Sequence, residues 1–214
     1  MQARRTATLQ VAPTTEPVTL DELKLWARID SNDDDALLTS LIVSARQACE
    51  NYTKRSFITQ TWRMILDLAG NGLDRFLGDG YYELPITALY GGLPTVIDLP
   101  RQPVQSITSI TTFDLGNNAT VYPSTNYFLN ADGARISLNQ GAVWPGNMRP
   151  IAACQIVYVT GYGNTAASVP QAIRDAIKGY AHHAYESRAM CDCDSMPAKF
   201  KSMLKQYRLM DGRA

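Results

Sequence analysis

Cysteine is scarce in this chain: there are four in 214 residues. They are too few and too scattered for a disulfide framework at this length. Cys49 and Cys154 fall inside apolar periodic segments, where a reduced, buried thiol is the expected state, so only Cys191 and Cys193 invite a second reading. Histidine is scarcer still, with His182 and His183 alone. A hydrolase needs a nucleophile with a base, and both histidines lie on a segment whose apolar stripe already explains its sequence. No Gly-x-Ser-x-Gly elbow is present either. The expectation is a protein that is not an enzyme. Long hydrophobic runs are also missing. Nothing approaches the roughly 20 apolar residues of a membrane span, and the opening Met-Gln-Ala-Arg-Arg lacks the apolar stretch of a secretory signal. A cytosolic site of synthesis and no membrane partner are therefore expected. Net charge is absent too: 20 basic residues balance 20 acidic ones, so any electrostatic partner must be met by a local patch.

What is present is ordinary material for a globular fold, with 45% hydrophobic and 19% charged residues. The sharpest chemical candidate is a metal site from His182, His183, Cys191 and Cys193, since zinc prefers imidazole and thiolate ligands. The spacing is poor for it. Adjacent histidines on a helix point about 100° apart, and Cys-x-Cys is tighter than the Cys-x2-Cys of a zinc knuckle. Asp33, Asp34 and Asp35 lack the glycine and distal glutamate of a calcium loop and read as the start of a helix. Gly70-Asn-Gly72 and Gly161-Tyr-Gly163 lack the spacing of a phosphate loop and read as turns. No cofactor and no metal are expected.

Residues 1–15, rich in Thr, Ala and Pro and without periodicity, read as a flexible N-terminal arm. Thr19 with Glu22 three residues on makes a capping box, and Leu20, Leu23, Trp26 and Ala27 form the apolar stripe of a short helix. A longer helix follows, in which Leu37, Leu38, Leu41, Ile42, Ala45, Ala48, Cys49 and Tyr52 recur at steps of three and four, with Lys54 and Arg55 at its negative end. From Phe57 the period changes to two, the mark of a half-buried strand. Further strands are expected at 95–99, 106–113, 120–122, 127–130, 135–138 and 152–160, separated by turn signals. Pro170 opens another helix whose buried face is Ile173, Ala176, Ile177, Tyr180, Ala181 and Ala184, running to about residue 188.

A last helix from about Pro197 places Phe200, Met203, Leu204 and Tyr207 on one side. Lys199, Lys201, Lys205 and Arg208 lie around the rest, the only clearly basic segment of a neutral chain. Such a segment is either a solvated face or an arm that meets an acidic protein surface or DNA. The fold class expected is α+β, with N- and C-terminal helices forming a core and a central antiparallel, sandwich-like β insertion. The boundaries are 16–56 and 164–210 for the helical core and 57–163 for the β region, with a Gly-rich insertion at about 69–94.

Several pieces in order resemble the larger, β-containing branch of the tailed-phage head-tail connector (adaptor) proteins, which includes adaptors of gene transfer particles. They are Pro17-Val-Thr-Leu-Asp-Glu with Asp34-Asp-Ala-Leu-Leu, Tyr52-Thr-Lys-Arg-Ser-Phe-Ile-Thr-Gln-Thr-Trp62, Leu99-Pro-Arg-Gln-Pro-Val-Gln-Ser-Ile-Thr-Ser-Ile110, Val157-Tyr-Val-Thr-Gly-Tyr-Gly163, and Val169-Pro-Gln-Ala-Ile-Arg174 leading to His183-Ala-Tyr-Glu-Ser-Arg188. Each alone reads as a cap, strand or turn; the order carries the likeness. The Gly-rich insertion and Met190-Cys-Asp-Cys-Asp depart from the family pattern.

The resemblance implies a virion protein at the head-tail junction, assembled in the host cytoplasm. It implies a homo-oligomeric ring, commonly a dodecamer, docked under the portal protein, extending the DNA channel and joined below to a tail or stopper protein. Such a ring is a cyclic, heterologous interface, which a neutral chain suits. On this resemblance Lys199, Lys201, Lys205, Tyr207 and Arg208 are the expected portal-binding or channel-facing residues, the second role bringing non-specific contact with passing DNA. The alternative is a stand-alone module whose β domain binds carbohydrate or protein through Tyr81, Tyr82 and Tyr90.

Overall fold

The computed structural model describes residues 5–68, 92–187 and 196–209. The Thr19 capping box forms as the sequence requires: the Glu22 N–H donates to Thr19 Oγ1 at 3.2 Å and the Thr19 N–H to Glu22 Oε2 at 3.3 Å. It opens α1, Leu20–Ala27, which ends on Arg28 in the left-handed conformation. Only Leu23 of α1 is buried. Trp26, expected on the apolar stripe, is half exposed, and the Lys178 ammonium lies 4.9 Å from its ring centroid. Helix α2, Asp35–Thr53, buries Leu38, Ile42, Ala45 and Cys49, spaced four, three and four residues apart. Helix α3, Gln171–Ser187, buries Ile173, Ala176, Ile177 and Ala181. These faces meet, and with Leu23, Phe57, Ile58, Phe200 and Leu204 they form one apolar cluster.

Polar side chains fix how the helices sit. The Arg174 guanidinium reaches from α3 to the Glu22 carboxylate and to the Pro17 carbonyl, the latter at 3.0 Å. Tyr185 donates to Asp34 Oδ2 at 2.6 Å, and the Lys24 ammonium to Asp35 Oδ1 at 2.8 Å. The acidic turn is thus a tether between helices as well as a helix start.

The β region is antiparallel. One sheet has the order β1-β2-β8-β4-β5, built from Arg5–Val11, Gln60–Leu66, Cys154–Thr160, Val104–Phe113 and Ala119–Val121. The second has the order β3-β7-β6, from Val96–Asp98, Arg135–Leu138 and Tyr127–Leu129. Met64, Leu66, Ile110, Ile156 and Tyr158 of the first pack with Ile97 and Ile136 of the second in a separate apolar cluster. Strand β8 alternates buried and half-buried along its whole length, as a central strand should.

The N-terminal arm expected over residues 1–15 is corrected at Arg5–Val11, which pair with β2 from Arg5 opposite Leu66 to Val11 opposite Thr61. Thr-Ala-Thr-Leu-Gln-Val suits an edge strand, and the outer side of β2 would otherwise leave a row of backbone groups unpaired. Of the Gly-rich insertion, residues 69–91 lie outside the described residues. At its end Leu93 is buried in the β cluster, and the Pro94 carbonyl accepts from Trp144 Nε1 at 2.9 Å.

Helices and sheets are joined at the end of α2. Glu50 is buried there, accepting from Arg46 Nη1, from the Phe57 N–H and from Gln60 Nε2, each at 2.8 Å. Arg46, equally buried, also donates to Glu16 Oε2 at 2.7 Å. Burial pushes the Glu50 carboxyl above its ordinary value, against the pull of Arg46, the Phe57 N–H and Gln60. Gly161, at φ 122°, completes the joint. A Cβ there would lie 2.6 Å from the Ile58 carbonyl carbon, so only glycine allows this approach.

Candidate docking surface

The basic tail begins at α4, Ala198–Leu204, whose Phe200 and Leu204 are buried. Phe200 fits because α3 carries a glycine opposite it: a Cβ on Gly179 would come within 2.8 Å of the Phe200 ring. Tyr180 and His183 of α3 flank the same ring at centroid distances of 5.6 and 6.2 Å. The Tyr52 hydroxyl of α2 donates to the Lys201 carbonyl at 3.3 Å.

A short 3-10 turn, Lys205–Tyr207, then leads the chain to the end of α2. There the Leu209 N–H donates to the Thr53 carbonyl at 2.9 Å, and Arg55 Nε donates to the Tyr207 carbonyl at 2.6 Å. The last carbonyls of a helix have no partner within it, and the Leu209 N–H supplies one from the tail. The Arg208 guanidinium lies 5.3 Å from the centroid of the Tyr52 ring.

Arg101 reaches the same place from the β region. Its backbone is left-handed, at φ 64°, and bridges with that of Arg55. Arg101 Nη1 donates to the Glu50 carbonyl at 3.1 Å, Nη2 donates to Asn51 Oδ1 at 2.8 Å, and the group lies 4.8 Å from the centroid of the Trp62 ring. Burial lowers the Arg101 pKa, partly offset by the charge of Glu50.

Of the residues expected at a docking or channel-facing site, Lys199, Lys205 and Arg208 are exposed. Lys201 is half-buried, and so is Tyr207, which packs against the helical cluster. The fold brings Tyr207 and Arg208 to the end of α2, and Lys205 opens the turn that leads there. Lys199 stays on the first turn of α4, its ammonium 4.7 Å from the Phe200 ring centroid.

The sequence reading missed two partners in this cluster, Arg55 and Arg101. Arg55 was fully explained by the negative end of α2. Arg101 sits between two prolines in a segment without periodicity, and only the tertiary approach of residues 55 and 101 reveals it.

The other chemical candidates are accounted for locally. His182 Nε2 lies 3.3 Å from Glu186 Oε1 one turn on, and His183 faces Phe200. Cys191 and Cys193 lie outside the described residues, as do Tyr81, Tyr82 and Tyr90. Among the described residues no group of three His, Cys, Asp or Glu side chains could hold a metal ion. No described helix is long and apolar enough to cross a membrane.

Comparison with known proteins bears on the whole chain. Residues 17–113 match the family described as phage gp6-like head-tail connector protein, which bears out the resemblance read from the sequence over that stretch. No curated protein matches the chain significantly. Among solved structures, a chain from the neck of an empty GTA particle computed with C6 symmetry superposes with a TM-score of 0.72 at 20% identity, covering 96% of each chain. A chain from the virion of a native gene transfer agent particle gives a TM-score of 0.65 at 19% identity, covering 95% of this chain and 97% of that one. A third, from the neck of a native GTA particle computed with C12 symmetry, gives 0.61 at 22% identity, with the same coverage.

Proposed function

We propose that this protein is a structural component of a virion neck: a head-tail connector that assembles as a ring beneath a portal, extends the DNA channel and joins head to tail. The observation that carries the reading is the agreement of two independent likenesses. The connector family matches the first helices and strands, and the fold of GTA neck chains is matched end to end.

The surface supports a heterologous ring, in which one face of a subunit meets a different face of its neighbour. Exposed apolar side chains occur on the helical side at Leu25, Trp26 and Leu37, and again in the β region at Val121, Phe128 and Val143. Singly such residues are unremarkable, but groups on two sides of a neutral chain suit repeated packing of like subunits. In this reading the tail with Lys199, Lys201, Lys205, Tyr207 and Arg208 docks on the portal, and a tail or stopper protein meets the other side of the ring.

The test is the native mass of the purified chain, alone and mixed with the portal protein encoded by the same genome, followed by electron microscopy of the mixture. A ring capping the portal is expected. A chain that stays monomeric and ignores the portal across salt and protein concentration overturns the reading.

A further inference from the structure

We propose that the end of α2 is a receptor for a short acidic segment of a partner protein, held by Arg101, Arg55, Arg208 and Lys205. The inference deepens the connector reading, on which it rests for the source of the partner, by naming the chemistry recognised.

Three separate parts of the chain deliver these cations to one place. The backbones of Arg55 and Arg101 bridge each other, Arg55 holds the Tyr207 carbonyl, and Arg208 follows over the Tyr52 ring. None of the four makes an ion pair with a carboxylate among the described residues. Glu50, whose charge acts on Arg101, is buried and already accepts from Arg46, the Phe57 N–H and Gln60. The helix end uses part of the positive charge through its carbonyls, and the exposed Lys205 and Arg208 add to it from the tail.

Two of the guanidinium groups are fixed by contacts within the chain, Arg55 on the Tyr207 carbonyl and Arg101 on the Glu50 carbonyl and Asn51 Oδ1. A planar fork held in advance loses little freedom on meeting a carboxylate, the group its geometry matches. The cluster is confined to one end of one helix, on a chain with no net charge. DNA affinity is built from many phosphate contacts spread along a backbone, whereas a compact group of cations matches a few neighbouring carboxylates.

The test uses the full chain and a fluorescein-labelled peptide of about twelve residues, Asp and Glu alternating between glycine ends, with an Asn/Gln peptide and a duplex DNA of about twelve base pairs as alternatives. Anisotropy is read at about 50 and 200 mM salt. The acidic peptide is expected to bind with salt-dependent affinity, the neutral one not to bind, and the duplex to bind no more tightly than the acidic peptide. The double substitution K205E/R208E, at two exposed positions, should weaken the acidic peptide by about tenfold or more at an unchanged melting temperature. K205Q/R208Q gives the same reading without charge reversal should the first variant melt early. Unchanged peptide binding in both variants, absence of peptide binding to the unsubstituted chain, or preference for the duplex overturns the proposal.

Mixing with the portal separates this result from the broader reading. A chain that ignores the portal yet loses the acidic peptide on K205E/R208E refutes the connector function and keeps the receptor. A ring that forms equally well from both chains, with no peptide binding, does the reverse.

Discussion

The helical cluster and the β region are held in shape by different means. Helices satisfy their backbone groups internally, so nothing in the backbone dictates how one helix sits on another. Here that task falls to side chains far apart in sequence: Arg174 on Glu22 and Pro17, Tyr185 on Asp34, and Arg46 between Glu16 and Glu50. In the β region the ladders themselves set the register, β2 against β8 from Gln60–Thr160 to Leu66–Cys154 without a break. Its exposed polar side chains mostly shape local turns, as Asp114 does with the Asn118 N–H and Asp132 with the Ala134 N–H. Polar substitutions should therefore be felt in the helices far more than in the sheets.

The largest expected effect compares the two regions directly. Each buries one thiol, Cys49 among the helices and Cys154 in the sheet, and burial raises both from an ordinary value of 9.0 to about 12. At neutral pH this lowers the reactive thiolate roughly a thousandfold. Alkylation followed by site-resolved mass spectrometry should find both protected in the native protein. Equal labelling rates in mild denaturant would mean that the two regions open together, and unequal rates would mean that they open separately.

Next comes Glu50→Ala, which leaves the buried Arg46 with Glu16 as its remaining carboxylate and strips the Phe57 N–H and Gln60 of their acceptor. A loss of about 3–5 kcal/mol is expected in urea unfolding, because two buried donors lose their acceptor and the buried Arg46 loses one of its two carboxylates. A loss below about 1 kcal/mol would show that water replaces the carboxylate and that the joint is not held by it. Gly161→Ala tests the same joint through the backbone. With φ at 122° and the Ile58 carbonyl in the way, a cost of order 1–3 kcal/mol is expected from thermal melts.

Glu22 gives a pH-dependent effect. Burial raises its carboxyl, but the Arg174 hydrogen bond, the Thr19 N–H and the charges of Arg174 and Lys178 together leave it below the ordinary 4.5. A carboxyl with a lowered folded pKa contributes stability that is present above its unfolded value and lost as pH falls through the folded one. Stability should therefore decline below about pH 4.5, and Glu22→Gln should flatten that decline while lowering stability at neutral pH. An unchanged acid profile would remove Glu22 from the account. The smallest effect is expected from Asp114→Ala in the β region, where the turn is local and exposed. Its melting temperature should stay close to that of the unsubstituted chain, and a shift as large as that of Glu50→Ala would erase the contrast between the regions.

Much of this fold is legible in the sequence. The Thr19 box, the periodic face of α2, the Pro170 start of α3 and the bounds of β7 at Arg135–Leu138 all follow from local patterns. Arg5–Val11 was not legible as a strand. Seven residues with no turn partner gain their ladder only from β2, about fifty residues further on, and a lone edge strand carries too weak a pattern to stand out. Trp26 was read as core because it falls on the right stripe, yet α1 is short and only Leu23 reaches the interior. At the candidate surface the tail's lysines and Arg208 were visible as a basic run, whereas Arg55 and Arg101 were each explained by their neighbours.

Sequence by itself determined most of the elements: which stretches other than Arg5–Val11 are helices or strands, which faces of the longer helices are apolar, and how each helix begins. Those choices depend on groups within a turn or two of one another, and such spacing is written in the chain. Tertiary structure alone decided what meets at the end of α2, where Glu50, Arg55, Arg101 and the tail at 205–209 converge. Contacts between residues so far apart in the chain, as Arg55 and Arg101 or Thr53 and Leu209 are, depend on how whole elements stack, and burial, charge and carbonyl partners acquire their meaning only once that stacking is complete.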